Sequence, residues 1–291
     1  MQTIHEIREL RGVLDTAVSG SSVGLVPTMG NLHAGHVRLM ASSIAGCDLT
    51  VATIFVNPLQ FGPQEDLESY PRTLATDSVQ LEAAGVDMLF APSETELYPD
   101  GRSTQTAVSV PGISTELCGA SRPGHFDGVT TVVLKLFNIV RPDVAYFGLK
   151  DYQQLTIIRS MTRQLNVPVE IIGVDTVRAD DGLALSSRNQ YLNDAQRAAA
   201  PELFATLQAT AAALQNGEKD LPRLEHKAVQ RLETAGFEPD FISIRDALTL
   251  AEPQSQVRSL IVLGAARLGE TRLIDNVCVE RVDRMEGASS T

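Results

Sequence analysis

Val23-Gly24-Leu25-Val26-Pro27-Thr28-Met29-Gly30-Asn31-Leu32-His33-Ala34-Gly35-His36 is the stretch on which the reading of this chain turns. Residues 23–27 form a short apolar run, read as a buried strand. From His36 to Ile44 the apolar side chains Val37, Met40 and Ile44 recur at steps of three and four, the spacing of one helix face. A loop that joins a strand to a helix aims backbone N–H groups and the positive helix end at one spot, which suits a phosphate. Gly30 and Gly35 let a ligand approach the backbone. His33 and His36 are expected on one helical face, where two imidazoles can donate hydrogen bonds to phosphate oxygens as charge develops. The bland alternative has one histidine capping the helix and the other at the surface. A metal site built on the pair lacks further ligands nearby.

Working outward, residues 49–56 (LTVATIFV) are β-branched and nearly all apolar, as in a strand covered on both faces. Residues 86–91, 144–147 and 169–174 read as further strands. Helical patterns fill the gaps at 73–84, 129–140 and 152–165. This alternation predicts an α/β fold with a doubly wound parallel sheet, in which ligands sit beyond the carboxyl ends of strands. After Asp175 the texture changes. An Ala-rich helix is expected at 194–214, and another at 221–235 with Asp220 as N-cap. Short strands are expected at 241–244, 260–266 and 273–274. The division is therefore 1–175 for the first domain and 176–291 for a second, smaller α+β C-terminal domain. Residues 287–291 read as a short disordered tail, and residues 1–8 as an amphipathic helix.

The 291 residues include 24 Lys and Arg against 36 Asp and Glu, a net charge of −12. That balance disfavours nucleic acid and anionic membrane surfaces as partners. A bound polyanion must then be met by isolated cations. The three cysteines form no C-x-x-C pair and read as reduced thiols. Residues 1–8 lack a signal-peptide pattern and no run reaches a membrane span, so a cytoplasmic protein is expected.

Four more segments carry candidate chemistry. Asn57 and Gln60 follow an apolar strand, and their amides can both donate and accept, as a hydroxy acid requires. Arg122-Pro123-Gly124-His125 reads either as an anion-facing loop or as an ordinary turn. Lys150, at a strand end beside Asp151 and one turn before Gln154, is an isolated point charge suited to phosphate. Ser186, Ser187 and Arg188 can wrap a triphosphate from another side.

The strings PTMGNLHAGH (27–36), NPLQFG (57–62), YPRT (70–73), RPGHFDGV (122–129), FGLKDYQQ (147–154) and LSSRN (185–189) occur in this order. The ordered set resembles the pantothenate synthetase family over roughly residues 1–285. His33-Ala34-Gly35-His36 also resembles the HxGH signature of the wider nucleotidyltransferase superfamily.

The resemblance implies a Rossmann-like first domain that binds ATP and pantoate, and a smaller lid domain. It also implies a homodimer in the cytoplasm. The implied reaction joins (R)-pantoate to β-alanine through a pantoyl-adenylate, with Mg²⁺ accompanying ATP. The resemblance places Met29, Gly30, Asn31, Leu32, His33, Ala34, Gly35, His36, Gly148, Leu149, Lys150, Asp151, Val177, Leu185, Ser186, Ser187 and Arg188 at ATP. It places Gln60 and Gln154 at pantoate, with Gln60 also near β-alanine and His36 as proton donor. His33, His36, Lys150 and Arg188 are the expected catalytic residues.

Three positions depart from the family pattern: Leu185 replaces Met, Leu149 fills a slot that is often polar, and Thr76 leaves Asp77 alone of an acidic pair. No protein ligand to a metal is therefore assigned. Two other readings of the same residues are an adenylyltransferase acting on a phosphorylated acceptor and a non-catalytic ATP sensor.

Overall fold

The computed structural model describes residues 1–16, 20–63 and 65–281. The tail expected at 287–291 lies outside the described residues. The chain divides into two compact units, Met1–Val177 and Arg178–Thr291.

The first unit alternates strand and helix: β1 (Gln2–Ile4), α1 (Ile7–Thr16), β2 (Val23–Thr28), α2 (Ala34–Gly46), β3 (Leu49–Ile54), α3 (Leu74–Ala83) and β4 (Met88–Phe90). Two short helices follow, α4 (Glu94–Leu97) and α5 (Cys118–Ser121). Then come α6 (His125–Val140), β5 (Val144–Gly148), α7 (Tyr152–Gln164) and β6 (Glu170–Val174). The six strands lie in the order β1-β4-β3-β2-β5-β6, and every pairing is parallel. The apolar run at 49–56 explains this placement. β3 sits between β2 and β4 with Thr50–Thr53 buried on both faces. One core, under α1, α6 and α7, includes Leu25, Val51, Phe90, Val129, Leu136 and Leu155. The other face, under α2 and α3, buries Val26, Met40, Ala52, Leu81 and Leu89. The expected doubly wound α/β sheet is what the chain forms.

The N-terminus corrects one expectation. Residues 1–8 are not one helix: Gln2–Ile4 form an edge strand that pairs with Met88–Phe90, and the helix starts at Ile7. Ile7 N–H then donates to Glu96 Oε1 at 2.8 Å, satisfying one free donor of the helix start. Local periodicity could not show this, because the partner strand lies more than 80 residues away.

The second unit holds α8 (Asp194–Ala199), α9 (Glu202–Gln215), α10 (Leu221–Thr234) and the strands β7 (Glu238–Asp246), β8 (Ser259–Leu268) and β9 (Thr271–Glu280). The strands form an antiparallel sheet in the order β7-β8-β9. Asp220 caps α10 by accepting the Arg223 N–H. The single helix expected at 194–214 is two helices, broken at Ala200-Pro201. Proline has no N–H to donate and its ring clashes with the carbonyl four residues back, so the ladder stops there. The third strand is longer than its Leu273-Ile274 core suggested, because ten residue pairs register it against β8.

Candidate active site

β2 and β5 are neighbours, yet the chain leaves β2 toward β3 on one side and β5 toward β6 on the other. That is the switch point of a doubly wound sheet, where a crevice opens beyond the strand ends. Two of the candidate segments leave the sheet there: 29–36, with its two histidines, follows β2, and Leu149–Asp151, with Lys150, follows β5 as a single 3₁₀ turn.

The loop after β2 is held by a buried acid. Gly30 and Asn31 take positive φ angles of 81° and 52°, a tight reversal that needs support from outside the loop. Asp77, only 1 % exposed on the first turn of α3, supplies it. Its Oδ2 accepts the Asn31 N–H at 2.9 Å and its Oδ1 accepts the Leu32 N–H at 2.9 Å. The Thr73 hydroxyl donates to Oδ2 at 3.0 Å. The sequence marked Asp77 only as the remaining member of an acidic pair. Its role as loop anchor depends on a contact across 45 residues.

His33 is not on the helix face with His36, as spacing alone suggested; it is the N-cap of α2. The bland reading of one capping histidine is correct as far as it goes, but both rings take part. His33 Nδ1 accepts the Gly35 N–H at 3.1 Å, and the His33 N–H donates to His36 Nδ1 at 3.2 Å. A neutral imidazole that accepts at Nδ1 carries its proton on Nε2. Both rings are therefore set as Nε2–H donors, with centroids 4.2 Å apart. Burial, then the Lys150 charge, lowers His33 from 6.5 to about 4. Burial, then the neighbouring His33, lowers His36 to about 3. The charges of Lys150 and Asp151 act on both rings, which ties the β5 loop to the β2 loop electrostatically. Lys150 Nζ also lies 3.6 Å from Asp151. At Gly35 a Cβ would stand 2.8 Å from His33 Cε1, so a side chain there would displace the His33 ring.

Gln60 ends a 3₁₀ turn, Pro58–Gln60, beyond β3. Its Nε2 reaches Met29 Sδ at 3.0 Å, which brings the predicted acid-binding residue against the predicted ATP loop. Asn57, by contrast, is 1 % exposed and fully engaged within the protein. Arg122 and His125 also turn inward. Arg122 grips Glu65 with two hydrogen bonds, at 2.7 and 2.6 Å. Burial opposes ionisation of Glu65, but the Arg122 hydrogen bonds and charge outweigh it and hold Glu65 below its usual range. His125 donates from Nδ1 to the Gln60 carbonyl at 2.7 Å and accepts from Arg122 at Nε2. The anion this loop faces is the chain's own Glu65, and the loop fixes the Gln60 backbone.

The two adjacent glutamines on α7 divide roles. Gln153 is buried and bonded to Cys118 N, Ile113 O and Glu116 O. Gln154 is only partly buried. Leu149 packs into the apolar core rather than standing in a polar slot. Val177 is the last residue of the first unit, and Leu185, Ser186, Ser187 and Arg188 belong to the second. There Ser186 caps a 3₁₀ turn at Ser187–Tyr191. A bridge between Arg178 and Ala184 closes the preceding loop. Arg178 stacks on Phe204 and pairs with Asp275 at 2.6 and 2.9 Å. Among the described residues, no three His, Cys, Asp or Glu side chains gather as a metal site, and no helix is long and apolar enough to cross a membrane.

The sheet with its HxGH-type capped loop at the switch point defines a nucleotide-binding α/β enzyme. The comparisons then fix the family. The family model described as Pantoate-beta-alanine ligase matches residues 2–278. The pantothenate synthetase of Pseudomonas savastanoi pv. phaseolicola is 56 % identical over 97 % of this chain and 100 % of its own length. The solved pantothenate synthetase of Thermus thermophilus superposes with a TM-score of 0.89 at 44 % identity, covering 95 % of this chain and 99 % of that one. The pantoate-beta-alanine ligase of Francisella tularensis, solved with beta-gamma ATP and beta-alanine, gives a TM-score of 0.79 at 33 % identity, covering 95 % and 97 %. This chain belongs to the pantoate-beta-alanine ligase family.

Proposed function

We infer that the chain condenses pantoate with β-alanine to pantothenate at the expense of ATP, releasing AMP and pyrophosphate. Family membership supplies the reaction. The observation that carries its assignment to this site is the pair of neutral Nε2–H donors at the start of α2, beside the charge of Lys150.

In the first step a pantoate carboxylate oxygen bonds to the α-phosphorus of ATP, and the bond to the pyrophosphate oxygen breaks. No enzyme nucleophile is required. The difficulty is an anion approaching a polyanion, so catalysis rests on positioning and charge stabilisation. His33 and His36 donate from Nε2 to phosphate oxygens without adding a formal charge, and Lys150 supplies the charge. Gln60 and Gln154 hold pantoate. In the second step the β-alanine amine attacks the acyl carbonyl, AMP departs with the carboxylate oxygen, and the amine loses a proton. Ser186, Ser187 and Arg188 are assigned to ATP by the same family correspondence, as are Leu185 and Val177. Mg²⁺ accompanying the nucleotide would serve as counter-ion to its phosphates. Asp77 is engaged by Asn31, Leu32 and Thr73, so no protein ligand is assigned to the ion. A homodimer is part of this proposal and is read by sedimentation equilibrium.

The test is pyrophosphate release from ATP and Mg²⁺ with and without pantoate, followed by AMP release with and without β-alanine. Pantoate-dependent pyrophosphate, with free AMP and pantothenate only after β-alanine is added, is expected. ATP binding without pantoate dependence would refute the assignment.

A further inference from the structure

Asn57 has four hydrogen-bonding positions, and all four are occupied inside the protein. Its Nδ2 donates to the Gly128 carbonyl and to Gln60 Oε1, each at 3.1 Å. Its Oδ1 accepts the Leu59 N–H at 3.3 Å and the Tyr98 hydroxyl at 2.7 Å. The carbonyl and the N–H leave no freedom in assigning the amide: nitrogen faces Gly128 and oxygen faces Leu59. Gln60 must then turn its oxygen to Asn57, and its Nε2 faces the other way, onto Met29 Sδ.

Tyr98 makes the shortest of these bonds. The ring is 2 % exposed, with Phe55 edge-on at 5.8 Å and Lys135 Nζ 5.3 Å above it. Burial, and then the Glu94 charge, push the phenol above its ordinary range, so the hydroxyl stays a donor. A buried phenol needs a partner, but nothing about folding requires that partner to be the amide that orients Gln60.

We propose that Tyr98 is a positioning residue for the acid-binding site: its hydroxyl locks Asn57, and Asn57 holds Gln60 so that an N–H₂ group, not a carbonyl, meets the carboxylate and hydroxyl of the acid. This rests on the assignment of Gln60 to pantoate. Without the phenol, Asn57 Oδ1 keeps only the long bond from Leu59. The Gly128 carbonyl and the Leu59 N–H still set which way Asn57 faces, but the amide is held less firmly, and with it the Gln60 oxygen and the aim of the Gln60 N–H₂ group at the acid.

The experiment compares the wild type with Tyr98→Phe and Asn57→Asp as full-length chains. It reads KM for pantoate, KM for ATP and kcat in the pyrophosphate-release reaction, with the fold checked by circular dichroism. Tyr98→Phe is expected to raise KM for pantoate about five-fold or more while KM for ATP stays within about two-fold. Asn57→Asp sets oxygen against both the Gly128 carbonyl and Gln60 Oε1, forces the glutamine to turn, and is expected to raise KM for pantoate further. It carries the test alone if Tyr98→Phe does not fold. Unchanged pantoate KM in the folded variants, or an equal rise in both KM values, overturns the inference. No pantoate-dependent pyrophosphate from the wild type would overturn the pantoate assignment first, and the inference with it.

Discussion

The His33 N–H donates to His36 Nδ1 at 3.2 Å, so the backbone of one site histidine fixes the tautomer of the other. The His33 side chain in turn accepts from the His36 backbone as well as from the Gly35 N–H, and this makes a capping box in which two imidazoles stand where Ser and Glu usually do. A helix N-terminus would normally spend its caps on its own orphan N–H groups. Here both imidazoles cap with Nδ1, which leaves the proton of each ring on Nε2.

This arrangement has a spectroscopic signature. At pH 7 both rings are expected as the neutral Nε2–H tautomer in imidazole ¹⁵N spectra of the free protein. Their titration midpoints are expected near 4 for His33 and near 3 for His36. A midpoint near 6.5 in either ring would contradict the capping geometry.

Gly35→Ala separates stability from activity. Alanine at an early helical position favours the helix by roughly 1 kcal/mol over glycine. The new Cβ, however, would stand 2.8 and 2.9 Å from His33 ring atoms and push the ring aside. The expected result is a melting temperature within a few degrees of wild type, with pyrophosphate release reduced about ten-fold or more. Wild-type turnover would show that the His33 ring position is not critical.

Asp77→Asn keeps the volume but replaces one acceptor with an N–H₂ group that faces a backbone N–H. Loss of about 1–3 kcal/mol is expected in urea denaturation, the cost of a buried donor left unsatisfied. Turnover is expected to fall as well, because the Asn31 reversal loses its anchor. Thr73→Ala removes one hydrogen bond from the same carboxylate and is expected to cost less, about 1 kcal/mol.

Lys150→Ala is expected to lower turnover at least about 10²-fold, near 3 kcal/mol of transition-state stabilisation, with the fold intact. The pyrophosphate-release assay reads this directly. Near-normal turnover would remove Lys150 from the mechanism.

Acid should weaken the fold in a specific window. His125 is lowered from 6.5 to about 4 by burial, and then by Arg122. Its folded value lies below its unfolded value, as for His33 and His36. The stability from keeping these rings neutral is complete above about pH 6.5 and is lost as pH falls toward 4. The urea midpoint is therefore expected to decline between about pH 6.5 and 4.5. His125→Asn, whose amide can still donate to Gln60 O, is expected to show a shallower decline. An equal slope in the variant would show that His125 does not contribute.

The sequence determined the sheet. Runs such as 49–56 have no polar face, so they can be satisfied only between two neighbours and under helices on both sides, which is the position β3 occupies. It also determined the family, through six strings in fixed order, which the family model then matched over residues 2–278. The sequence did not reveal where helices break or begin when the cause is remote or easily overlooked. Gln2–Ile4 becomes a strand only because Met88–Phe90 offers an edge, and Pro201 interrupts a pattern that otherwise reads as one helix.

Tertiary structure alone decided which polar residues are consumed by the protein itself. Asn57 and Gln60 are alike in sequence terms, as are Gln153 and Gln154. Yet Asn57 is saturated and Gln153 is engaged at three of its four positions, by partners up to 71 residues away. Arg122 and His125 read either as an anion-facing loop or as an ordinary turn; Arg122 does bind an anion, the chain's own Glu65, while His125 bonds the Gln60 carbonyl and Arg122. Hydrogen-bond saturation is a property of distance and direction between groups far apart in the chain. Residue type and spacing set which bonds a side chain can make, and only the folded structure decides which of them it does make.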